Sequence, residues 1–211
     1  MTNDIEIKQT YEYLILNKKV KCFFDIGANY GTHSMLFLLN DIKTISFEPN
    51  PECTKRFGEL AKYNNMHCHI ENTALGDTKS VKTLFFPSYE TWNGSLIANH
   101  TSSEKINTIA VHVTTIDEYT TENNIFPDLI KIDAEGYELN ILKGGTHLFK
   151  TFKPLVIFES LKKDNRNEVF HFFDNINYRI IKLPLTNNKY DFYNQKSFFR
   201  SDETNFAAVF N

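Results

Sequence analysis

The chain has 211 residues and a formal net charge of −3, and no run of basic residues stands out, so a nucleic-acid-binding surface is not favoured. Its three cysteines form no C-x-x-C pair, which predicts reduced thiols in a cytoplasmic protein. The first residues lack the pattern of a secretory signal, and no apolar run reaches the ~18 residues that a membrane span needs.

Predicted strands and helices alternate through the first part of a single domain, residues 1–211. Residues 1–19 form an N-terminal lead-in, with a helix predicted over residues 4–19. Apolar runs that end in polar residues or glycine predict strands at 20–27, 43–48 and 66–74, with helices at 32–39 and 51–63 between them. This alternation predicts right-handed crossovers and a parallel sheet.

The alternation is interrupted at residues 78–119, which predict a β-rich insertion without a helix. Strands are predicted there at 81–86 and 108–113, around a loop that we expect to face substrate. Its residues Trp92, Asn93, Gly94 and Ser95 suit either contact with a sugar or substrate, or anchoring of the loop. Beyond the insertion, we expect strands at 128–133 and 155–159, helices at 137–152 and 166–176, and a final antiparallel pair of strands at 178–183 and 205–210.

The motif DIGANYG follows the first predicted strand. Gly27 and Gly31 allow a tight turn and the close approach of a ligand to the backbone. Because Asn29 interrupts the G-x-G-x-x-G fingerprint and no Gly-Lys-Ser/Thr follows, a pyrophosphate is not the expected ligand. The next helix begins with Thr32 and His33, and His33 either contacts the ligand or completes the N-terminus of that helix.

The motif SFEPNP ends the second predicted strand. Glu48 lies about 20 residues beyond Gly27, the spacing at which an acidic side chain accepts hydrogen bonds from ribose hydroxyls. Pro49 and Pro51 restrict the loop that holds Glu48. Asn50 belongs either to the ligand site or to the N-cap of the next helix.

The motif NTALGD ends the third predicted strand. Gly76 permits a turn there, and the small side chain of Ala74, beside Leu75, leaves room for an aromatic base. Backbone amides at this position are therefore expected to border an adenine ring.

The motif LIKIDAEG carries the residues on which we expect the chemistry to depend. Lys131, Asp133 and Glu135 share one side of the chain if the strand stays extended, and Glu159 ends the next strand. Such groups are costly to bury unless they are paired or functional, and Lys131 also fits a structural ion pair. Converging carboxylates here can orient a hydroxyl group, act as a general base or bind a divalent cation.

In their order along the chain, these motifs make the sequence similar to the FkbM family of S-adenosylmethionine-dependent methyltransferases. The matching stretches are DIGANYGTHS, FEPNP, NTALGD, TTIDEY, DLIKIDAEGYELNILKGG and VIFE. The resemblance implies an α/β class I methyltransferase fold, which is Rossmann-like, with a seven-stranded, mostly parallel sheet, an antiparallel last strand and the β-rich insertion. It also implies S-adenosyl-L-methionine as cofactor, and methylation of a hydroxyl on a sugar, glycan or small metabolite.

The resemblance also implies roles for individual residues. The methionine part of the cofactor would lie against the glycine loop, the ribose against Glu48 and the adenine beside residues 72–76. Asp133, Glu135 and Glu159 are the candidates for the catalytic base, and Mg²⁺ is an alternative means of activating the hydroxyl. The predicted cofactor-binding residues are Asp25, Gly27, Asn29, Gly31, Thr32, His33, Glu48, Pro49, Asn50, Ala74, Leu75 and Asp133.

Other functions remain open at this point. A module that binds adenosylmethionine without turnover would keep the same cofactor loops. Methylation of protein or nucleic acid needs the same cofactor with a different acceptor, although the net charge disfavours nucleic acid. A nicotinamide-dependent oxidoreductase is disfavoured because the dinucleotide fingerprint is missing.

Overall fold

The computed structural model describes residues 4–87, 94–98, 105–162, 165–187 and 190–211. Helices and strands alternate through most of these ranges, as the sequence predicts. In chain order they are α1 (Asp4–Leu16), β1 (Cys22–Ile26), α2 (Thr32–Leu38), β2 (Lys43–Phe47), α3 (Pro51–Tyr63), β3 (His69–Glu71), β4 (Ala74–Leu75), β5 (Ser80–Pro87), β6 (Ile106–Thr114), α4 (Ile116–Asn123), β7 (Leu129–Ile132), α5 (Glu138–Lys143), α6 (Thr146–Phe152), β8 (Leu155–Glu159), α7 (Arg166–Asn175), β9 (Tyr178–Ile181), α8 (Gln195–Arg200) and β10 (Asn205–Phe210).

The main sheet has seven strands in the order β3-β2-β1-β7-β8-β10-β9. All are parallel except β10, which runs antiparallel to both β8 and β9. Every residue of β1 and β7 is buried, as in the central strands of a sheet that helices cover on both faces. The predicted fold, with its antiparallel last strand, is confirmed.

Two apolar layers lie on opposite faces of this sheet because successive side chains along a strand point to opposite sides. Phe24, Ile130 and Phe158 belong to one layer. The layer on the other face contains Ile7, Tyr11 and Leu14 of α1 together with Phe23, Leu129 and Ile157. The predicted lead-in helix therefore packs directly against the sheet.

A second sheet has the strand order β4-β6-β5 and fills the predicted β-rich insertion. The third predicted strand, residues 66–74, is wrong as a single element: residues 69–71 stay in the main sheet, while residues 74–75 pair with β6. The side-chain amide of Asn72 donates to the carbonyls of Glu48 and Pro49, at 2.9 and 3.0 Å, and fixes the break between the two sheets.

The structure also corrects the predicted helices. Residues 78–119 do contain the start of a helix, because Thr115 caps α4 by accepting from the Glu118 amide. The predicted helix 137–152 is divided at Gly144, where a Cβ atom would collide with the Gly76 carbonyl. The helix α8 was not predicted, and it begins in a capping box formed by Asn194 and Ser197. None of the described helices combines the length and apolarity needed to cross a membrane.

Candidate active site

A pocket opens where β1, β2 and β7 end, at the carboxyl edge of the main sheet, and segments of the second sheet complete its wall. Open α/β sheets bind ligands at this edge. The register aligns Asp25 of β1 with Lys131 of β7, so the loops that follow these strands begin at the same level. The predicted site residues that line the pocket are Gly27, Asn29, Thr32, His33, Glu48, Pro49, Ala74, Leu75, Asp133 and Glu135.

The turn after β1 depends on its two glycines, for different reasons. Gly27 has a φ of 77°, and a Cβ atom there would collide with the Asp133 carbonyl oxygen. The loops after β1 and β7 therefore touch, which brings the predicted cofactor loop and the predicted reaction loop together. Gly31 also has a φ of 77°, but a Cβ atom there would collide with the Phe57 ring, and Gly31 lies outside the pocket lining.

Asp25 lies beneath the glycine turn and does not line the pocket. It is fully buried, and its carboxylate accepts a hydrogen bond of 2.6 Å from Ser34, which in turn contacts Ser46 at 2.8 Å. Burial raises the pKa of Asp25, while the nearby charge of Lys131 opposes that rise. From this position, Asp25 ties the start of α2 to the strands beneath the turn.

Glu48 is buried, and backbone amides hold its carboxylate in place. One oxygen accepts from the Asn29 amide at 2.9 Å and the other from the Asn50 amide at 2.8 Å. Burial raises the pKa of Glu48 to about 7, although both hydrogen bonds oppose the rise. The Asn50 side chain accepts from the Glu52 amide and caps α3, which confirms the capping alternative and leaves Asn50 outside the pocket lining.

One half of the pocket is apolar, and the sequence did not identify most of its residues. Ala74 and Leu75 were predicted there. The second sheet adds Leu84, and the strand-paired segment beside β5 adds Gly94 and Leu96. Phe47, Tyr137 and Ile141 are further apolar or aromatic residues of the pocket lining.

Of the two alternatives predicted for the segment around Ser95, the structure supports anchoring for Ser95 itself. Ser95 is buried, pairs with Phe85 and donates from its hydroxyl to the Glu135 carbonyl oxygen at 2.8 Å. It therefore supports the loop after β7, while its neighbour Gly94 lines the pocket. Trp92 and Asn93, predicted either to contact substrate or to anchor the loop, lie outside the described residues.

The polar half of the pocket centres on an ion pair. The Lys131 ammonium group is 2.8 Å from an Asp133 carboxylate oxygen, and the two side chains are 3% and 36% exposed. Burial disfavours ionisation of Asp133, but the charge and hydrogen bond of Lys131 outweigh it, so the pKa of Asp133 is lowered. Asp133 is therefore an ionised carboxylate that faces the pocket, whereas its partner is enclosed by protein.

Glu159 stands next to this pair, at the end of β8, and outside the pocket lining. Burial raises its pKa to about 8, and the negative charges of Asp133 and Glu135 add to the rise. Glu159 in turn contributes to the lowered pKa of Asp133. The raised pKa favours a protonated Glu159 at neutral pH, next to an ionised Asp133.

The loop after β7 does not remain extended, contrary to the alternation assumed from the sequence. The strand ends at Ile132, and Glu135 reaches the pocket from a left-handed conformation with a φ of 49°. Glu138, which the sequence did not single out, is buried and accepts from the amides of Ala134 and Gly136 at 2.9 and 3.2 Å. It holds the loop from beneath, and an acidic residue in the first turn of a helix is the signal that could have identified it.

His33 lines the pocket from the first turn of α2, and its ring meets the Tyr11 ring edge-on at 5.7 Å. Burial and the charge of Lys131 lower the pKa of His33 to about 3, so its imidazole is neutral. Among the described residues, no three His, Cys, Asp or Glu side chains are grouped as a metal site. The Mg²⁺ alternative therefore gains no support from the geometry.

Comparison with known proteins identifies the family of this chain. A family model described as the methyltransferase FkbM domain matches residues 25–192. The chain belongs to this methyltransferase family. It is 27% identical over 136 residues to the hexuronic acid methyltransferase AglP of Haloferax volcanii, an alignment that covers 64% of this chain and 54% of AglP.

Two solved structures share the fold of this FkbM-family chain. The methyltransferase FkbM from Methylobacillus flagellatus superposes with a TM-score of 0.55 at 15% identity, over 90% of this chain and 44% of that one. Monomeric WbdD superposes with a TM-score of 0.53 at 12% identity, over 100% of this chain and 42% of that one. The chain thus spans about half the length of these relatives.

S-adenosylmethionine is the cofactor expected for methyltransferases of this family, and the residues present fit it. Gly27 has no side chain, so a ligand can approach the backbone of the turn closely. Glu48, at the end of the neighbouring strand, has a carboxylate that two backbone amides hold in place. The apolar half of the pocket, around Leu75, Leu84 and Leu96, suits an adenine ring.

Proposed function

We propose that the protein is an S-adenosylmethionine-dependent O-methyltransferase that acts on a hydroxyl group of a sugar or small metabolite. The observation that carries the proposal is that one pocket combines two sets of residues. Gly27, Glu48 and Leu75 suit the cofactor. An ionised Asp133 lines the same pocket, and its backbone carbonyl packs against Gly27. Neither set alone would suggest methyl transfer to oxygen.

The cofactor supplies a methyl group on a sulfonium, which is already activated for transfer. The protein must then bring an acceptor oxygen into line and receive its proton. Asp133 is suited to this task because its carboxylate is ionised and 36% exposed toward the pocket, while Lys131 holds one of its oxygens. In the proposed step, the hydroxyl proton passes to Asp133 as the oxygen takes the methyl group.

The other two carboxyl groups support this arrangement. Glu159, whose raised pKa favours the protonated form at neutral pH, adds no negative charge beside Asp133 and contributes to the lowered pKa of Asp133. Glu135 lines the pocket and is the alternative base. Substitution separates the roles: Asp133→Asn is expected to lose methyl transfer and keep cofactor binding, and Glu135→Gln should retain turnover if Asp133 is the base.

The acceptor class is proposed from the relatives and from the pocket. AglP is named as a hexuronic acid methyltransferase, so a sugar hydroxyl is the first acceptor to test. The polar half of the pocket, with Asp133, Glu135 and a neutral His33, offers hydrogen-bonding groups to a polyhydroxyl ligand. A protein or nucleic-acid acceptor would have to present its hydroxyl or amine to the same residues.

Calorimetric titration with S-adenosylmethionine and S-adenosylhomocysteine tests the first half of the proposal. Wild type should bind both at micromolar concentrations, and Glu48→Gln should bind about tenfold or more weakly, because a hydrogen bond to a charged acceptor is worth ~1.5–3 kcal/mol. Glu52→Gln, an exposed change on the adjacent helix, is the matched control. Absence of binding by folded wild-type protein would contradict the proposal.

An acceptor screen tests the second half. Purified protein, labelled S-adenosylmethionine and a panel of sugars, peptides and oligonucleotides would be combined with Mg²⁺ or with a chelator. Methylated sugar as the main product supports the proposal. Cofactor binding with no methylated product from any panel member would favour a non-catalytic module instead.

A further inference from the structure

A groove between α1 and α2 continues from the main pocket. Thr32 and His33 line both the pocket and the groove, so the two cavities are neighbours that share these side chains. On the α1 side, the groove is lined by residues of one helix face, at intervals of three and four positions. These are Lys8, Tyr11, Glu12, Ile15 and Leu16.

The charges around this groove are unequal. The pocket side presents the carboxylates of Asp133 and Glu135 against one cation, Lys131, and so carries an excess of negative charge. The described groove is lined by one cation, Lys8, and one carboxylate, Glu12. The positive charge of Lys8 acts at His33, where it contributes to keeping the imidazole neutral. Lys8 is exposed, and no carboxylate of the described residues lies within ion-pair distance of it.

We infer that the groove binds the acidic group of the acceptor, with Lys8 as the residue that recognises its carboxylate. The inference deepens the proposed function and rests on it. It assigns an acceptor of the hexuronic acid class and a direction of binding. The hydroxyl that takes the methyl group lies at Asp133, the carboxylate lies at Lys8, and His33 stands between them.

Electrostatics explains why the acceptor would bind in this direction. A carboxylate near Asp133 and Glu135 would meet an excess of negative charge, whereas in the groove the single carboxylate of Glu12 is balanced by Lys8, whose ammonium group is exposed and available. The neutral His33 can donate or accept a hydrogen bond to a sugar hydroxyl without competing for the acidic group. Glu12 also lines the groove, and its carboxylate can accept from hydroxyl groups.

The test compares two sugars that differ only in the acidic group. Protein saturated with S-adenosylhomocysteine is titrated with methyl glucuronide and with methyl glucoside, at low and at high salt. We expect the glucuronide to bind about fivefold more tightly at low salt, the size expected of one exposed ion pair, and the preference to shrink as salt is added.

Variants connect the preference to one residue. Lys8→Ala should remove the preference for glucuronide, and Lys8→Glu should reverse it, while Lys62→Ala, which deletes an exposed lysine on α3, should leave it intact. Equal binding of the two sugars by wild type, binding of neither, or an unchanged preference in Lys8→Ala would overturn the inference.

Binding of S-adenosylhomocysteine is measured first, in wild type and in each variant. All should bind it equally, because Lys8 lies outside the main pocket lining. Failure of wild type to bind it would contradict the proposed function itself. Normal binding with no preference between the sugars would contradict only the assignment of the groove.

Discussion

Glu138 provides the sharpest test of how the loop after β7 is held. Its carboxyl group is 4% exposed and accepts from the amides of Ala134 and Gly136 at 2.9 and 3.2 Å. Burial raises its pKa from the usual 4.5 to about 7, although the hydrogen bonds from those amides oppose the rise. Two substitutions separate the hydrogen bonds from the charge: Glu138→Gln keeps an acceptor oxygen, and Glu138→Ala removes it.

The magnitudes follow from these contacts. In Glu138→Ala, the buried Gly136 amide and the partly buried Ala134 amide lose their acceptor, and the loss of a buried one costs ~1–3 kcal/mol of unfolding free energy. The raised pKa stabilises the fold fully below pH 4.5, and this contribution is lost as the pH rises through about 7. A shift of this size corresponds to about 3 kcal/mol. Glu138→Gln does not titrate, so its stability relative to wild type should improve by up to that amount between pH 5 and pH 8.

Urea denaturation followed by circular dichroism measures the prediction at several pH values. Glu168→Gln, an exposed change on α7, is the control and should follow wild type at every pH. Parallel stability profiles for wild type and Glu138→Gln would refute the reasoning. So would a Glu138→Ala protein as stable as wild type at pH 5, where the buried hydrogen bonds act without the charge.

Three further substitutions test the turn, the carboxyl pair and the C-terminal packing. Gly27→Ala should cost about 3 kcal/mol or more in urea denaturation and abolish calorimetric cofactor binding, because its Cβ atom collides with the Asp133 carbonyl. Wild-type methyl transfer should fall as the pH rises through about 8, where Glu159 ionises beside Asp133, and Glu159→Gln should remove that decline from the pH–rate profile. Arg166→Met should lower the unfolding free energy by ~3–5 kcal/mol in urea, because the buried guanidinium donates to the carbonyls of four residues.

Each of these substitutions has a control and a contrary outcome. Gly58→Ala, at a helix position with open space around it, should be neutral or stabilising, and similar behaviour of Gly27→Ala would contradict the collision. If methyl transfer by Glu159→Gln still declined above about pH 8, a group other than Glu159 would be responsible for the decline. Arg200→Met removes an exposed arginine nearby, and an equal loss in both arginine variants would show that burial of Arg166 is not the cause.

The sequence alone was enough to predict the main sheet and its polar edge. Strands that are buried on both faces are continuous apolar runs, so β1, β2, β7 and β8 could be located directly. Because parallel strands end at the same edge, motifs that follow them had to lie together, and Gly27, Glu48 and Asp133 do line one pocket. Local pattern sufficed here because each motif follows its own strand.

Contacts between distant segments were decided only by the tertiary structure. The segment predicted as the third strand is divided at Asn72, whose side-chain amide binds the loop after β2. The segment predicted as one helix after β7 is divided at Gly144, which packs on the Gly76 backbone. No local periodicity records such an encounter. The apolar wall at Leu84 and Leu96 depends in the same way on a second sheet folding over the pocket.

The sequence, then, determined which residues could do chemistry, because residue type and strand-end position are local properties. The tertiary structure decided their states. The ion pair with Lys131 keeps Asp133 ionised, and burial raises the pKa of Glu159. The Gly27 turn touches the Asp133 carbonyl only because β1 and β7 are neighbours in the sheet. Ionisation and contact depend on what surrounds a side chain, and in a folded chain those surroundings come from residues far away in the sequence.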